Sequence, residues 1–228
     1  MPDDLTLTPD LLIRAYANGV FPMGDDATDT VRWHAPDPRA HLPLNEFHIP
    51  HNLRRRVRQR EFEVTADREF GAVIRHCADR PRTWITPHII RVYTDLHDRG
   101  YAHSVECWQN GELAGGLYGV ALRGTFYGES MFFRVNNASK VALVHLVRQL
   151  RAGGFALLDT QYSTEHLERF GVMEIPRAAF EEKLAQALKI HHTWWPLSDA
   201  EAADLDTPVS AFSDASPAPL GNESTPNG

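Results

Sequence analysis

Residues 124–133 place one carboxylate, Glu129, in a strand-like run of aromatic and sulfur-containing side chains. Burying an unpaired charge in such surroundings costs several kcal/mol. We therefore expect Glu129 to be paired, protonated or ready to receive a cationic ligand, and a structural salt bridge is the alternative. Gly128 beside it lets another group approach the backbone closely.

A second set of polar groups follows an apolar run at residues 155–159. Asp159 ends this run and Gln161 lies two residues further on. Side chains two residues apart share one face of a strand, so Asp159 could hold the Gln161 NH2 group and aim its carbonyl oxygen. Ligands gather at the carboxyl ends of strands in sheets of this kind. The alternative is that Asp159 caps the next helix, although Ser163 and Thr164 already offer a cap.

The strongest charge feature is an arginine run, with five arginines within seven residues and no acid from residue 47 to residue 60. Its members are Arg54, Arg55, Arg56, Arg58 and Arg60. On a helix they would repel one another, and an anionic partner, most often phosphate, would relieve that repulsion. The run favours contact with a nucleic-acid backbone, which carries little sequence information. A solvated helix paired with distant carboxylates is the alternative.

The elements that position these groups follow from periodicity. Alternation predicts a three-stranded meander at residues 101–109, 112–122 and 125–132. A long helix at residues 138–151 and the buried strand at residues 155–159 come next. Antiparallel strands followed by a strand–helix–strand unit predict an α+β fold with a mixed sheet.

Shorter signals complete the predicted elements. Near the N-terminus Thr8 caps a short helix that ends at Gly19, and Asp67 caps a helix that runs to about residue 78. Regular structure is interrupted at residues 20–24 and 35–39. Other helices are predicted at residues 50–59, from Thr86 to Gly100, at residues 164–170 and at residues 176–190.

Composition predicts three parts. Residues 1–36 are too few for a core of their own, so they must pack on the body of the chain at residues 37–196. Residues 197–228 hold six of the 30 acids and no Lys or Arg, which leaves 24 acids against 23 bases in the rest of a chain of net charge −7. We predict that this Pro- and Ser-rich acidic tail is disordered, and its charge is no argument against an anionic partner of the body.

Several classes of protein are excluded by composition and motifs. No run of about 18 apolar residues predicts a membrane span, and the acidic N-terminus is not a secretory signal. Two cysteines and no CxxC or HExxH motif predict a cytoplasmic protein without a metal site.

Seven stretches in order, between about residues 15 and 180, resemble the leucyl/phenylalanyl-tRNA–protein transferases. Among them are Tyr16-Ala17-Asn18-Gly19-Val20-Phe21-Pro22, Trp33-His34-Ala35-Pro36-Asp37-Pro38-Arg39, Thr83-Trp84-Ile85, Gly128-Glu129-Ser130-Met131-Phe132 and Asp159-Thr160-Gln161. The chain departs from the family pattern at Met23 and His34, where aromatic residues are frequent.

The resemblance implies a GNAT-like mixed-sheet acyltransferase domain behind the small N-terminal domain. It also implies transfer of Leu or Phe, and Met less readily, from aminoacyl-tRNA to proteins that begin with Arg or Lys, which marks them for N-degron degradation. The ester of the donor is already activated, so no cofactor is expected. We expect a monomer with no membrane partner.

The same resemblance suggests roles for individual residues. Asp159, Gln161 and Glu129 are the predicted catalytic residues: Asp159 orients Gln161, whose carbonyl oxygen accepts a hydrogen bond from the amine, and Glu129 and Asp159 hold the cationic acceptor side chain. The arginine run holds tRNA phosphates. The predicted aminoacyl pocket is lined by Trp84, Phe126, Gly128, Met131, Leu143, Leu146, Leu150 and Leu158.

Two alternative functions stay open at this point. A CoA-dependent N-acyltransferase of the GNAT class would hold pyrophosphate on a glycine-rich turn, whereas residues 134–140 contain no glycine. A non-catalytic RNA-binding protein would have no use for Glu129 and Asp159 in apolar strands.

Overall fold

A computed structural model describes residues 7–25, 30–191, 194, 197, 201 and 204–206. Most of the predicted tail therefore lies outside the described residues. The strands are β1 (Phe21–Asp25), β2 (Thr30–His34), β3 (Arg39–Leu42), β4 (Glu63–Ala66), β5 (Ala102–Gln109), β6 (Glu112–Leu122), β7 (Thr125–Phe133), β8 (Leu157–Gln161) and β9 (Met173–Ile175). The helices are α1 (Pro9–Ala17), α2 (His51–Arg58), α3 (Phe70–Ala78), α4 (Pro87–Asp98), α5 (Ala138–Ala152), α6 (Glu165–Glu168) and α7 (Arg177–Ala187).

Seven strands form one mixed sheet in the order β4-β5-β6-β7-β8-β3-β9. The neighbours are antiparallel except β7 and β8, which run parallel. A parallel pair needs a crossover connection, and α5 supplies it. The predicted meander is β5, β6 and β7, and the predicted α+β fold with a mixed sheet is confirmed.

The prediction of no regular structure at residues 20–24 and 35–39 is wrong in part. β1 pairs with β2 in a separate two-stranded sheet, and β3 lies between β8 and β9 in the main sheet. All four residues of β3 are buried. A strand this short, covered on both faces, shows no alternation of apolar and polar residues, so periodicity could not reveal it.

Two apolar cores pack on opposite faces of the main sheet. Phe126 and Leu158 pack with α2 and α5, whereas the adjacent residues Tyr127 and Leu157 pack with α1, α3 and α4. Successive residues of a strand point to opposite faces, which explains the division. Because α1 contributes the fully buried Tyr16 to the second core, the N-terminal segment is part of the packing around the site.

The predicted helix caps have different outcomes. Thr8 accepts a hydrogen bond from the Leu11 backbone N–H at 3.2 Å, as expected of an N-cap. Asp67 does not cap a helix, because α3 begins only at Phe70 and Asp67 accepts from the backbone N–H of Ser104 at 2.9 Å. In the described part of the chain, no helix is long and apolar enough to cross a membrane.

Candidate active site

The site lies where two neighbouring strands separate. β7 and β8 pair as far as Tyr127 and Asp159, and their pairing ends there. Beyond that point Glu129 is an extra residue in the register of β7 against β6, and Thr160 is an extra residue in the register of β8 against β3. Bulges of this kind redirect side chains and are frequent beside active sites.

A cavity of about 340 Å³ opens between the separated strands. We call it the donor cavity, because the family resemblance predicts the pocket for the aminoacyl donor here. α5 forms one side of it and β1 contributes to the other, so both apolar cores reach its wall. Its polar lining includes Glu129, Thr160 and Gln161, together with Arg80, Ser130, Thr164 and His166. Its large apolar side chains are Phe21, Met23, Trp84, Leu117, Met131, Leu143, Leu146, Leu158 and Leu167.

The structure brings most of the predicted pocket together. Trp84, Gly128, Met131, Leu143, Leu146 and Leu158 all line the donor cavity. Two predicted members do not, since Phe126 and Leu150 are fully buried in the core behind it. The Phe126 ring stacks on Trp194 with centroids 5.5 Å apart. These two residues support the wall and do not form it.

Glu129 stands at the cavity wall with its carboxylate held by two tyrosines. The Tyr16 hydroxyl donates to Oε1 at 2.7 Å and the Tyr93 hydroxyl donates to Oε2 at 3.2 Å. Removal from water raises the pKa of Glu129 to about 8, although these hydrogen bonds lower it. Within the described residues no basic side chain forms an ion pair with Glu129, so the structural salt bridge is not found.

Asp159 is buried behind the cavity and paired with an arginine. Arg39 donates from Nε to Oδ1 at 3.0 Å and from Nη2 to Oδ2 at 2.5 Å. Burial raises the pKa of Asp159, and this ion pair opposes the rise. The guanidinium also lies 4.7 Å from the ring centroids of Phe21 and Phe180. The pairing corrects the expectation that Asp159 holds an acceptor cation, because its charge is already compensated.

Gln161 is held by its backbone to one acid and by its side chain to the other. Its N–H donates to Asp159 Oδ1 at 2.9 Å, and its left-handed φ of 58° lets the chain turn there. Its Nε2 donates to Glu129 Oε1 at 3.5 Å. The expected contact between the Asp159 carboxylate and the Gln161 NH2 group is therefore replaced by one with Glu129. Since Thr164 accepts from the Leu167 N–H and caps α6, the helix-cap alternative for Asp159 is wrong.

Sequence reasoning missed the groups that hold these acids. Tyr16 lies 113 residues from Glu129 along the chain, Tyr93 lies 36 residues from it, and Arg39 lies 120 residues from Asp159. No local pattern links residues so far apart. The one available signal was that Tyr16 and Arg39 occur in stretches that carry the family resemblance.

Four members of the arginine run lie in α2 and Arg60 lies just after it, all apart from the donor cavity. Leu53 and Val57 bury one side of this helix in the same core as α5. Two arginines have acidic partners: Arg56 pairs with Glu61, and Arg58 with Asp206 at 2.6 Å. The other three, Arg54, Arg55 and Arg60, form no ion pair with the described residues.

The geometry can hold an apolar acyl side chain in the donor cavity while an amine approaches the polar groups at its edge. Positioning of the two reactants supplies a large part of such catalysis. Among the described residues no group of three or more His, Cys, Asp or Glu side chains is arranged to hold a metal ion. An apolar cavity with such a polar edge, built on this mixed sheet, fits an acyl-group transferase.

Comparison with known proteins specifies the family. Residues 41–185 match the family described as Leucyl/phenylalanyl-tRNA protein transferase, and residues 6–37 match its N-terminal domain. A protein of that name from Salinibacter ruber (strain DSM 13855 / M31) is 79% identical over the full length of both chains. Another, from Paramagnetospirillum magneticum (strain ATCC 700264 / AMB-1), is 56% identical over 80% of this chain and 90% of its own. The chain belongs to the leucyl/phenylalanyl-tRNA protein transferase family.

Solved structures are similar only at a low level. A GCN5-related N-acetyltransferase-like protein from Streptococcus suis 89/1591 has a TM-score of 0.32 and 10% identity, over 81% of this chain and 62% of its own. The C-terminal domain (DUF2156) of a putative lysylphosphatidylglycerol synthetase from Agrobacterium fabrum has a TM-score of 0.36 and 15% identity, over 79% of this chain and 63% of its own.

Proposed function

We propose that the protein transfers Leu or Phe, and Met less readily, from aminoacyl-tRNA to the N-terminal Arg or Lys of acceptor proteins. The carrying observation is an apolar cavity of about 340 Å³ whose polar edge holds Glu129, an acid with no basic partner among the described residues, in a chain that belongs to this family. The reaction joins the acceptor α-amine nitrogen to the ester carbonyl carbon, and the ester C–O bond breaks. The tRNA 3′-terminal ribose hydroxyl leaves with a proton.

The donor cavity selects the amino acid by shape. Leu and Phe are unbranched at Cβ and can enter a narrow apolar slot, whereas Ile and Val carry a branch at its mouth. Met131, Leu146 and Leu158 supply apolar wall on the α5 side. Discrimination by a single methyl group is worth only about 1–3 kcal/mol, so selectivity among similar donors is modest.

Glu129 is the group that fits a cationic acceptor. It lies at the cavity wall, its pKa is raised to about 8 by removal from water, and no basic side chain of the described residues pairs with it. An incoming Arg or Lys side chain would compensate its charge and favour the ionised carboxylate. Asp159 has a different role, since it holds Arg39 and the backbone of Gln161.

Gln161 orients the α-amine of the acceptor. Its NH2 group donates to Glu129, which leaves the carbonyl oxygen to accept a hydrogen bond from the attacking nitrogen. A free α-amine has a pKa near 8, so about a tenth of it is neutral at pH 7 and about half at pH 8. The amide orients the amine, and positioning supplies most of the acceleration.

The arginine run, which lies in α2 and just after it, fits the phosphates of the tRNA body. Arg54, Arg55 and Arg60 offer charge that no acid of the described residues compensates. Such contacts do not read sequence, and they weaken as salt concentration rises. We propose further that the enzyme works as a cytoplasmic monomer and marks its acceptors for N-degron degradation.

Incubation of the purified protein with radiolabelled Phe-tRNA and a peptide that begins with Arg tests the proposal. We expect label in the peptide, and none in a matched peptide whose α-amine is acetylated. Transfer from acetyl-CoA instead of Phe-tRNA would favour the CoA-dependent alternative. Tight tRNA binding with no transfer to any peptide would favour an RNA-binding protein.

A further inference from the structure

A second cavity of about 260 Å³ lies beside the donor cavity and has no part in the function proposed above. The two cavities share Met131 and His166 in their walls, so they are neighbours. The other residues that line the second cavity are Phe133, Asn136, Asn137, Ser139 and Lys140.

Phe133 is unusual in its exposure. It is 63% exposed at the end of β7, more than Tyr162 (45%), Met173 (42%) or Trp33 (38%). Its side chain lines the second cavity, so part of the exposed ring is accessible from that cavity. An exposed aromatic ring is a stacking surface for a nucleobase.

The surroundings of Phe133 are cationic. Lys140 lines the same cavity and donates to Asn137 Oδ1 at 3.4 Å, and Arg134 follows Phe133 in the chain. Arg80 lines the donor cavity and donates to Ser130 Oγ at 3.1 Å. Within the described residues none of these three cations forms an ion pair with a carboxylate.

We propose that the second cavity is a nucleotide subsite for the single-stranded 3′ end of the donor tRNA. The proposal rests on the proposed function, because an amino acid seated in the donor cavity carries its nucleotides out beside it. A base upstream of the esterified adenosine stacks on Phe133, and a phosphate faces Lys140. Single-stranded nucleic acid is commonly held by an aromatic ring with cations beside it, whereas the arginines of α2 offer charge alone.

Two donors of different length test the subsite by kinetics. One is Phe-tRNA, and the other is adenosine esterified with Phe, which has no upstream nucleotide. We expect Phe133→Ala to raise KM for Phe-tRNA by about 5- to 150-fold, the effect of losing one stacked base. KM for the short donor and for the acceptor peptide should not change. Phe133→Trp, which keeps an aromatic ring, should have the wild-type KM for Phe-tRNA. Met173→Ala, which removes an exposed apolar side chain on β9, is the control and should change nothing.

Binding of uncharged tRNA tests the subsite without depending on transfer. Phe133→Ala should weaken binding of intact tRNA and leave binding of the same tRNA without its three 3′ nucleotides unchanged. A plot of the logarithm of the binding constant for intact tRNA against the logarithm of salt concentration has a negative slope. Lys140→Gln should make that slope shallower by about one unit.

Equal effects of Phe133→Ala on intact and shortened tRNA, or no effect on either, would overturn the subsite. If the wild-type protein transfers from neither donor while Phe133→Ala still distinguishes the two tRNAs, the proposed function fails and the subsite stands.

Discussion

At the scale of single residues, the ionisation of Glu129 makes the stability of the protein depend on pH. Its pKa in the folded protein is about 8, well above the ordinary value of 4.5. Between these values the native state holds a proton that the unfolded state has released, so the free energy of unfolding falls as pH rises through this window. Above about pH 8 both states are ionised and the loss is complete.

Glu129→Gln should therefore stabilise the protein, because an amide keeps an acceptor for the Tyr16 hydroxyl and carries no charge. The gain in free energy of unfolding over wild type should grow from pH 5 to pH 8. Urea denaturation at a series of pH values measures it. A gain that is the same at every pH would show that Glu129 does not titrate in this range. Transfer to a peptide that begins with Arg should fall, since the variant cannot compensate the cation.

Arg39 stabilises the folded protein, whereas ionisation of Glu129 destabilises it. Its side chain is 2% exposed and pairs with Asp159, which is fully buried. Removal of one partner from a buried ion pair costs about 3–5 kcal/mol, because the other charge stays buried without compensation.

Arg39→Met should accordingly lose about 3–5 kcal/mol of stability, measured by urea denaturation. The double variant Arg39→Met with Asp159→Asn should recover part of that loss, since no unpaired charge remains. If the double variant is no more stable than the single one, the cost lies in lost packing against Phe21 and Phe180 and not in the unpaired acid.

At the scale of elements, one part of β7 packs in the core and another part lines the donor cavity. Phe126 is fully buried in the core, and Met131 lines the cavity beyond the bulge at Glu129. The bulge changes the alternation of side chains, so the same strand can support the wall at one end and form it at the other.

Substitutions at these two positions should consequently have different effects. Phe126→Ala should lower the free energy of unfolding by about 3–5 kcal/mol and keep the preference for Leu and Phe. Met131→Ala should destabilise less and admit bulkier donors. Competition between charged tRNAs, together with thermal denaturation, separates the two. A changed donor preference in Phe126→Ala would place that ring in the pocket after all.

At the scale of the whole molecule, the C-terminal residues that the structure describes return to the basic helix. The family match ends at residue 185, and beyond it Leu205 packs against the core and the Asp206 carboxylate pairs with Arg58 at 2.6 Å. This ion pair is exposed, and exposed pairs contribute about 0–1 kcal/mol. It nevertheless lowers the positive charge of the surface that we assign to tRNA.

Asp206→Asn should strengthen tRNA binding by less than about fivefold at low salt, and the difference should vanish as salt screens the helix. Fluorescence titration of tRNA at increasing salt measures both effects. Glu112→Gln, which removes an exposed acid on β6, is the matched control. An equal gain in both variants would indicate a general effect of net charge and not a contact of Asp206 with α2.

The sequence by itself determined the elements whose pattern is local: the meander, the long helix α5 and the Thr8 cap. The resemblance of its motifs to a known family indicated most of the residues that line the donor cavity. It also identified both acids and the glutamine as exceptional, since polar groups in apolar strands need a reason. Only the tertiary structure decided their partners. Tyr16 and Arg39 reach their acids across more than 100 residues, and two bulges turn Glu129 and Gln161 toward each other. Those contacts depend on how distant segments pack, and no spacing along the chain encodes that.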